Sequence, residues 1–220
     1  MELSIVEENY IKAIYKIKEF SNEAVSTNAL ADHMDIKPAT ATDMLKRLSE
    51  KELINYIKYQ GVTLTERGNQ KALGIIRKHR LWEMFLVEKL RFNWDEVHEV
   101  AEQLEHIQSD KLIDELDHLL GYPTVDPHGD PIPSAHGDIV NENRLSLSEF
   151  KIGAVLKVTG VKDHSTPFLN HLSSLGIDLG AMIKIEDINE YDNSLSISIN
   201  QKKGNFISHR VAENLFVNLI

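Results

Sequence analysis

The chain has 220 residues, 42% of them hydrophobic, enough for one large domain or two to three small ones. It contains no cysteine, which excludes disulfides and thiolate metal sites. The formal net charge of −10 is unevenly spread: residues 1–72 carry 10 Lys+Arg against 11 Asp+Glu, residues 73–146 carry 7 against 15, and residues 147–220 carry 7 against 8. The acidic middle third is ill suited to phosphate and well suited to cations, whereas the near-neutral first third leaves DNA binding open.

In chain order, "SIVEENYIKAIYKIKE" places Ile5, Tyr10, Ile14 and Ile17 at helical spacing. Ser26 or Thr27 caps a short helix, "NALADHM", and Pro38 opens the next, "PATATDMLKRLSEKE". Ala41, Met44, Leu45 and Leu48 form the buried stripe of that helix. "LINYIKYQGVTLTERG" alternates like a strand and reverses near Gly61, with Thr65 capping a further helix. This pattern is a winged helix-turn-helix over residues 1–72.

Residues 73–121 form a helical domain: a long helix over 66–91, a second over about 95–107, and "KLIDELDHLLG" ending at Gly121. Residues 122–146 hold four of the six prolines and read as a Pro-rich linker. Residues 147–220 carry short β-like segments, "GAVLKVTGV", "AMIKIEDI", "SLSISIN" and "NLFVNLI", with one helical piece, "TPFLNHLSSLG". They suggest an SH3-like small barrel. The expected fold class is mainly α with β: winged helix-turn-helix, central helical domain, C-terminal SH3-like barrel. No apolar run approaches the ~20 residues of a membrane span. The N-terminal stretch is too charged for a signal peptide, so the expected location is the cytoplasm.

"HEVAEQLEH", from His98 to His106, sets two imidazoles and three carboxylates among apolar residues. Positions 98, 102, 105 and 106 fall on one helical face. On the preceding helix His79 and Glu83 are also one turn apart, continuous with Ile75, Leu86 and Leu90, which points them inward. Uncompensated carboxylates there cost several kcal/mol each, roughly. A divalent cation removes that penalty, and imidazole with carboxylate suits Mn, Fe(II) or Zn. From spacing alone a solvated face and a carboxylate-bridged metalloenzyme stay open. The enzyme reading lacks the Glu-x-x-His pairs such sites use, because residue 103 is glutamine. Asp126 and His128 in "VDPHGDP" are candidate loop ligands. Asp163, His164 and His171 of the barrel, unaided, read as surface residues.

The order of winged helix, "HRLWE", "VHEVAEQLEH", Pro-rich segment and small barrel resembles the diphtheria toxin repressor family of metal-dependent repressors, nearest its manganese transport regulator branch. The resemblance covers essentially the whole chain. It implies a non-enzymatic repressor that binds palindromic double-stranded operator DNA as a homodimer when loaded with metal and controls metal-uptake genes. A winged-helix regulator answering iron or an organic effector is the alternative. The resemblance makes His79, Glu102, Glu105 and His106 ligands of the regulatory site and Glu83 and His98 ligands of an ancillary one. It adds Asp126, His128 and a barrel ligand near Asp163. Glutamate at 102, where iron-responsive members carry cysteine, implies Mn(II), with Fe(II) or Zn(II) as alternatives. The first-helix ligand aligns with Asn9; Glu8 is its substitute. On DNA, Pro38, Ala39, Thr40, Thr42 and Asp43 are placed for base edges, and Lys46, Arg47, Lys58 and Tyr59 for phosphates. In the metal-free state the carboxylates are expected to repel one another and leave the reading head loose.

Overall fold

The computed structural model describes residues 3–19, 23–58, 60–140 and 144–220. They form two compact units interleaved along the chain. The first comprises Met1–His79, Glu102–Ile113 and Pro133–Ile139; the second comprises Arg80–Ala101, Asp114–Ile132 and Val140–Ile220. Three helices, α4 (Glu66–Leu90), α5 (Val97–Leu104) and α6 (Asp110–Leu119), contribute residues to both.

The first unit opens with α1 (Ile5–Glu19), α2 (Thr27–His33) and α3 (Pro38–Glu50). The Ser26 hydroxyl accepts the Ala29 N–H at 3.0 Å, capping α2. Pro38 sits in the first turn of α3, where its missing N–H costs nothing. Asp35, at φ 52°, makes the turn between the two helices. The wing is the antiparallel hairpin β1 (Ile54–Ile57) and β2 (Gly61–Leu64), with Ile54 opposite Leu64 and Ile57 opposite Gly61. Gly61 has φ 105°, and a Cβ there would meet the Val25 carbonyl at 2.8 Å, so glycine is required. Thr65 accepts the Gly68 N–H at 3.0 Å and starts α4.

Tyr10, Ile11, Ile14, Leu30, Ala41, Leu45, Leu48 and Val62 form one core. Each fully buried Leu or Ile contributes about 1.5–3 kcal/mol relative to exposure, which fixes the face of α3 that stays open. Met44 is only partly buried, and Ile5, at the start of α1, lies outside the core at 58% exposure.

The second unit holds the C-terminal part of α4, most of α6 (Asp110–Leu119) and a six-stranded antiparallel sheet in the order β3-β8-β4-β5-β6-β7. Its strands are β3 (Leu145–Ser146), β4 (Val155–Val161), β5 (Met182–Ile188), β6 (Leu195–Ile199), β7 (Lys202–Ile207) and β8 (Leu215–Leu219). Helices α7 (Thr166–Leu175) and α8 (His209–Glu213) fill the connections. Register shifts at Val158/Gly160, Ile185/Asp187 and Ile197/Ile199 bend the sheet around the core of Leu156, Val158, Leu172, Ile183, Ile197 and Leu215.

The proline-rich segment is packed rather than a free spacer. Asp126 is 2% exposed and His128 1%. The His128 carbonyl accepts the Val161 N–H of β4 at 2.9 Å. Gly129, at φ 86°, lets the loop approach so closely that a Cβ would meet the Thr159 carbonyl at 2.1 Å. Among the described residues no helix is long and apolar enough to cross a membrane.

Candidate metal centres and nucleic-acid face

In the first unit His79, Glu102 and Glu105 each offer a ligand atom, all within 4.8 Å of one another. The Glu105 carboxylate is fully buried. It faces His79 Nδ1 at 2.6 Å, and both its oxygens accept from Lys12 Nζ at 2.7 Å. The same ammonium donates to Glu102 Oε1 at 2.5 Å. Lys12 is therefore 5% exposed and sits on the oxygens that make the cluster. Burial alone pushes the Glu102 carboxyl up; the Lys12 charge and hydrogen bond, with His79 and Lys16 adding, hold it below the usual carboxylate range.

His106 meets Glu8 of α1, Nδ1 to Oε2 at 2.5 Å, and Gln108 donates to the other Glu8 oxygen at 2.8 Å. Helix α1 thus turns Glu8 and Lys12, one turn apart, toward the acidic set. Its Tyr10, Ile11 and Ile14 face the helix-turn-helix core. Glu7 forms a third link, pairing at 2.5 Å with Lys51, the C-terminal capping residue of α3. The repulsion expected between metal-free carboxylates is absent from this arrangement, because Lys12 bridges them.

In the second unit Glu83, Asp126 and His128 form another such group, again within 4.8 Å and all buried. His128 Nε2 lies 2.8 Å from the Trp94 carbonyl, which only accepts, so that nitrogen carries the proton. Nδ1 is left facing Glu83 Oε2 at 3.6 Å and Asp126 Oδ1 at 4.0 Å, with no hydrogen-bond partner of its own. It needs either a proton or a metal. Burial would lower the imidazole, but Glu83 and Asp126 outweigh it and raise His128 to about 9. Burial, then Glu83 and Asp130, push the Asp126 carboxyl up, against His128 and Arg80. Asp126 Oδ1 accepts the backbone N–H groups of His128 and Asp130 at 2.8 and 2.9 Å. Arg80 lies 3.5 Å from Asp126 and donates to the Pro131 carbonyl at 2.5 Å.

The remaining candidates divide. His98 approaches Glu83 at 3.4 Å with its side chain 45% exposed. Asp163 is not gathered with Glu83, Asp126 and His128; its carboxylate accepts the Ser165 N–H at 2.8 Å, a local turn. The adjacent His164 stacks on His128 instead, with ring centroids 4.9 Å apart. His171 is exposed on α7. Asn9 Oδ1 is a buried oxygen with no hydrogen-bond partner. That orphan, the bare His128 Nδ1 and the imidazole-plus-carboxylate donors fit a divalent cation of the Mn, Fe or Zn type. Sequence reasoning missed Lys12, Arg80 and Asp130, and took His164 for a surface residue, whereas it stacks on His128. The spacing of Lys12 one turn after Glu8 was the available signal for the first.

On α3, Pro38, Ala39, Thr40, Asp43, Lys46 and Arg47 are exposed, and Thr42 is partly so with its hydroxyl donating to the Pro38 carbonyl. Lys46 pairs with Asp43 at 3.3 Å. Lys58 is exposed at the wing tip, and Tyr59 lies outside the described residues.

Three family models divide the chain between them. The N-terminal DNA-binding domain of iron-dependent repressors matches residues 2–62, their metal-binding and dimerisation domain matches 65–134, and the FeoA domain matches 145–219. An uncharacterized HTH-type transcriptional regulator of Methanocaldococcus jannaschii is 38% identical over 109 residues, 50% of this chain and 87% of that protein. The iron-dependent repressor IdeR of Mycobacterium leprae is 30% identical over 191 residues, 81% of this chain and 83% of its own. Alignments with other mycobacterial IdeR proteins span 57% of their length. A solved manganese-dependent transcriptional repressor, in complex with manganese, is 33% identical, covers 97% of this chain and all of its own, and superposes with a TM-score of 0.85. The chain belongs to the iron-dependent repressor family, the metal-dependent transcriptional repressors of the diphtheria toxin repressor and MntR type, which are not enzymes.

Proposed function

We propose that this protein is a Mn(II)-responsive repressor, cytoplasmic, that binds palindromic operator DNA as a homodimer and controls metal-uptake genes. The observation that carries the reading is the His79, Glu102 and Glu105 set, buried at His79 and Glu105 and half-buried at Glu102, oxygen-rich and free of sulfur, joined through α1 to the recognition helix. Harder oxygen donors favour Mn(II) over softer ions. The manganese-bound repressor similar to this chain supports the same choice.

His79, Glu102 and Glu105 would hold the ion in the first unit, with His106 and an α1 oxygen from Glu8 or Asn9 as further donors. Glu83, Asp126 and His128 would hold one in the second, with His98 at its exposed side. When bound, a divalent cation supplies charge that offsets the carboxylates and a coordination demand that fixes their orientation. The chain's own residues do the rest. In the metal-free arrangement Lys12 and Glu8 tie α1 to the acidic set, and Glu7 ties α1 to the end of α3 through Lys51.

In a homodimer two copies of α3 would enter successive major grooves, roughly 34–36 Å or a multiple apart. Exposed Leu119 and Tyr122 of the second unit, at 58% and 64%, would provide apolar surface for the dimer contact. Metal promotes DNA binding only if the competent arrangement binds it more tightly; a coupling of about 1–3 kcal/mol gives about 5–150-fold in operator affinity. Fluorescence anisotropy on the protein's own promoter, across Mn(II), Fe(II) and Zn(II), tests this. Tightest operator binding with Mn(II) is expected, and binding indifferent to all three would overturn the reading.

A further inference from the structure

The metal-free cluster of the first unit already contains a cation. Lys12 Nζ donates to both Glu105 oxygens at 2.7 Å and to Glu102 Oε1 at 2.5 Å. Glu105 has no exposed surface and Lys12 has 5%, so water contributes little to either charge. A divalent ion ligated by these carboxylates would need the same lone pairs. Two positive charges held a few ångströms apart at low dielectric repel strongly, so both cannot occupy the set.

We propose that Lys12 is the resident counter-ion of the regulatory site, a built-in competitor whose ammonium must leave Glu102 and Glu105 before a divalent cation enters. This rests on the reading of the His79, Glu102 and Glu105 set as the regulatory metal site. Lys12 therefore sets the free-ion concentration at which the protein responds. The exchange also changes what α1 is attached to: with lysine in place, α1 is tied to the acidic set by its own side chain. On exchange that tie is released, while Glu8 and Asn9 remain on α1 as oxygen donors. Only the bound form gains the ion's coordination, which supplies the difference between states that linkage requires. The second cluster, where Arg80 lies 3.5 Å from Asp126, does not include Lys12 and serves as an internal control.

The test uses full-length protein and competition with a fluorescent chelator for Mn(II). The binding event at the first cluster is identified as the one that Glu102→Gln removes. Lys12→Gln and Lys12→Met are expected to tighten that event about tenfold, equivalent to about 1.4 kcal/mol. A lysine that merely supported the fold would, when removed, weaken binding instead. In parallel, wild-type protein is treated briefly with an acetylating reagent and Lys12 is followed by mass spectrometry. Lys12 is expected to be protected without metal and modified once Mn(II) is bound. This arm stands if the variants fail to fold. A Glu102-dependent event that Lys12 replacement leaves unchanged or weaker, or equal acetylation in both states, overturns the role of Lys12 alone. Mn(II) binding that survives Glu102→Gln unaltered overturns the site reading and Lys12 with it.

Discussion

In the first unit Glu102 and Glu105 share one lysine ammonium. In the second, Glu83 and Asp126 face an imidazole raised to about 9, with Arg80 alongside Asp126. Both clusters bury carboxylates at a cost no isolated ion could meet, and both offset it with cations from the chain itself. On the proposed reading, the difference lies in what an entering metal would have to displace. In the first unit it is a side chain rooted in α1, so exchange reaches the helix-turn-helix core. In the second it is a proton on His128, whose loop is pinned to β4, so exchange is linked to pH and its reach is local. On that reading the same ligand chemistry would make a switch in one place and a fixed site in the other.

The largest expected effect separates the two carboxylates most buried in each unit. Glu105→Ala leaves Lys12 with Glu102 as its carboxylate and removes the oxygen facing His79, and the metal-free protein should lose about 3 kcal/mol, read by urea unfolding. Asp126→Asn keeps an oxygen for the two backbone N–H groups it accepts, and should cost under about 1.5 kcal/mol. Equal losses would erase the distinction drawn here.

Next comes pH. The raised His128 contributes stability that is fully present below its unfolded value near 6.5 and is lost as pH rises through about 9. Below that point metal must expel the proton, so affinity at the second cluster should rise about tenfold per pH unit between about 7 and 9. Calorimetry in buffers of different ionisation enthalpy should count about one proton released per ion at this cluster. No proton release would refute the assignment of His128 as the displaced acid.

Lys51→Ala removes the Glu7 contact at the end of α3 without touching either cluster. Metal affinity should hold, while the metal-dependent gain in operator affinity should shrink by about 0.5–2 kcal/mol. Coupling preserved at full strength would show that Glu7 and Lys51 carry none of it. The smallest effect is Lys46→Ala, expected to weaken operator binding evenly across sequences and lower the salt slope by about 1. Metal binding should not change; a parallel loss of both would remove Lys46 from the DNA face.

Much of this was legible beforehand, for identifiable reasons. His79 and Glu83 could be placed inward because Ile75 and Leu86 share their stripe on α4, and all four are buried; Leu90, at the helix end, runs past the core and is 53% exposed. The winged helix followed from Pro38, the turn and the hairpin around Gly61. Strand β7, "KKGNFI", was missed because an edge strand can be polar on both faces and carry no alternation. Lys12 was invisible because a lysine on an amphipathic helix is ordinarily solvated, and its partners lie 90 and 93 residues away. Asp163 was favoured over His164 by resemblance, yet the Asp163 carboxylate is taken by the local turn and His164 stacks on His128.

Operator occupancy and ion occupancy of the His79, Glu102 and Glu105 set can be followed together, by anisotropy and chelator competition, as Mn(II) is added and then stripped. The two curves should rise and fall in step in the wild-type protein, and both should vanish in Glu102→Gln. Operator binding that persists after chelation, or that survives loss of the Glu102 carboxylate, would contradict control of DNA binding from this cluster.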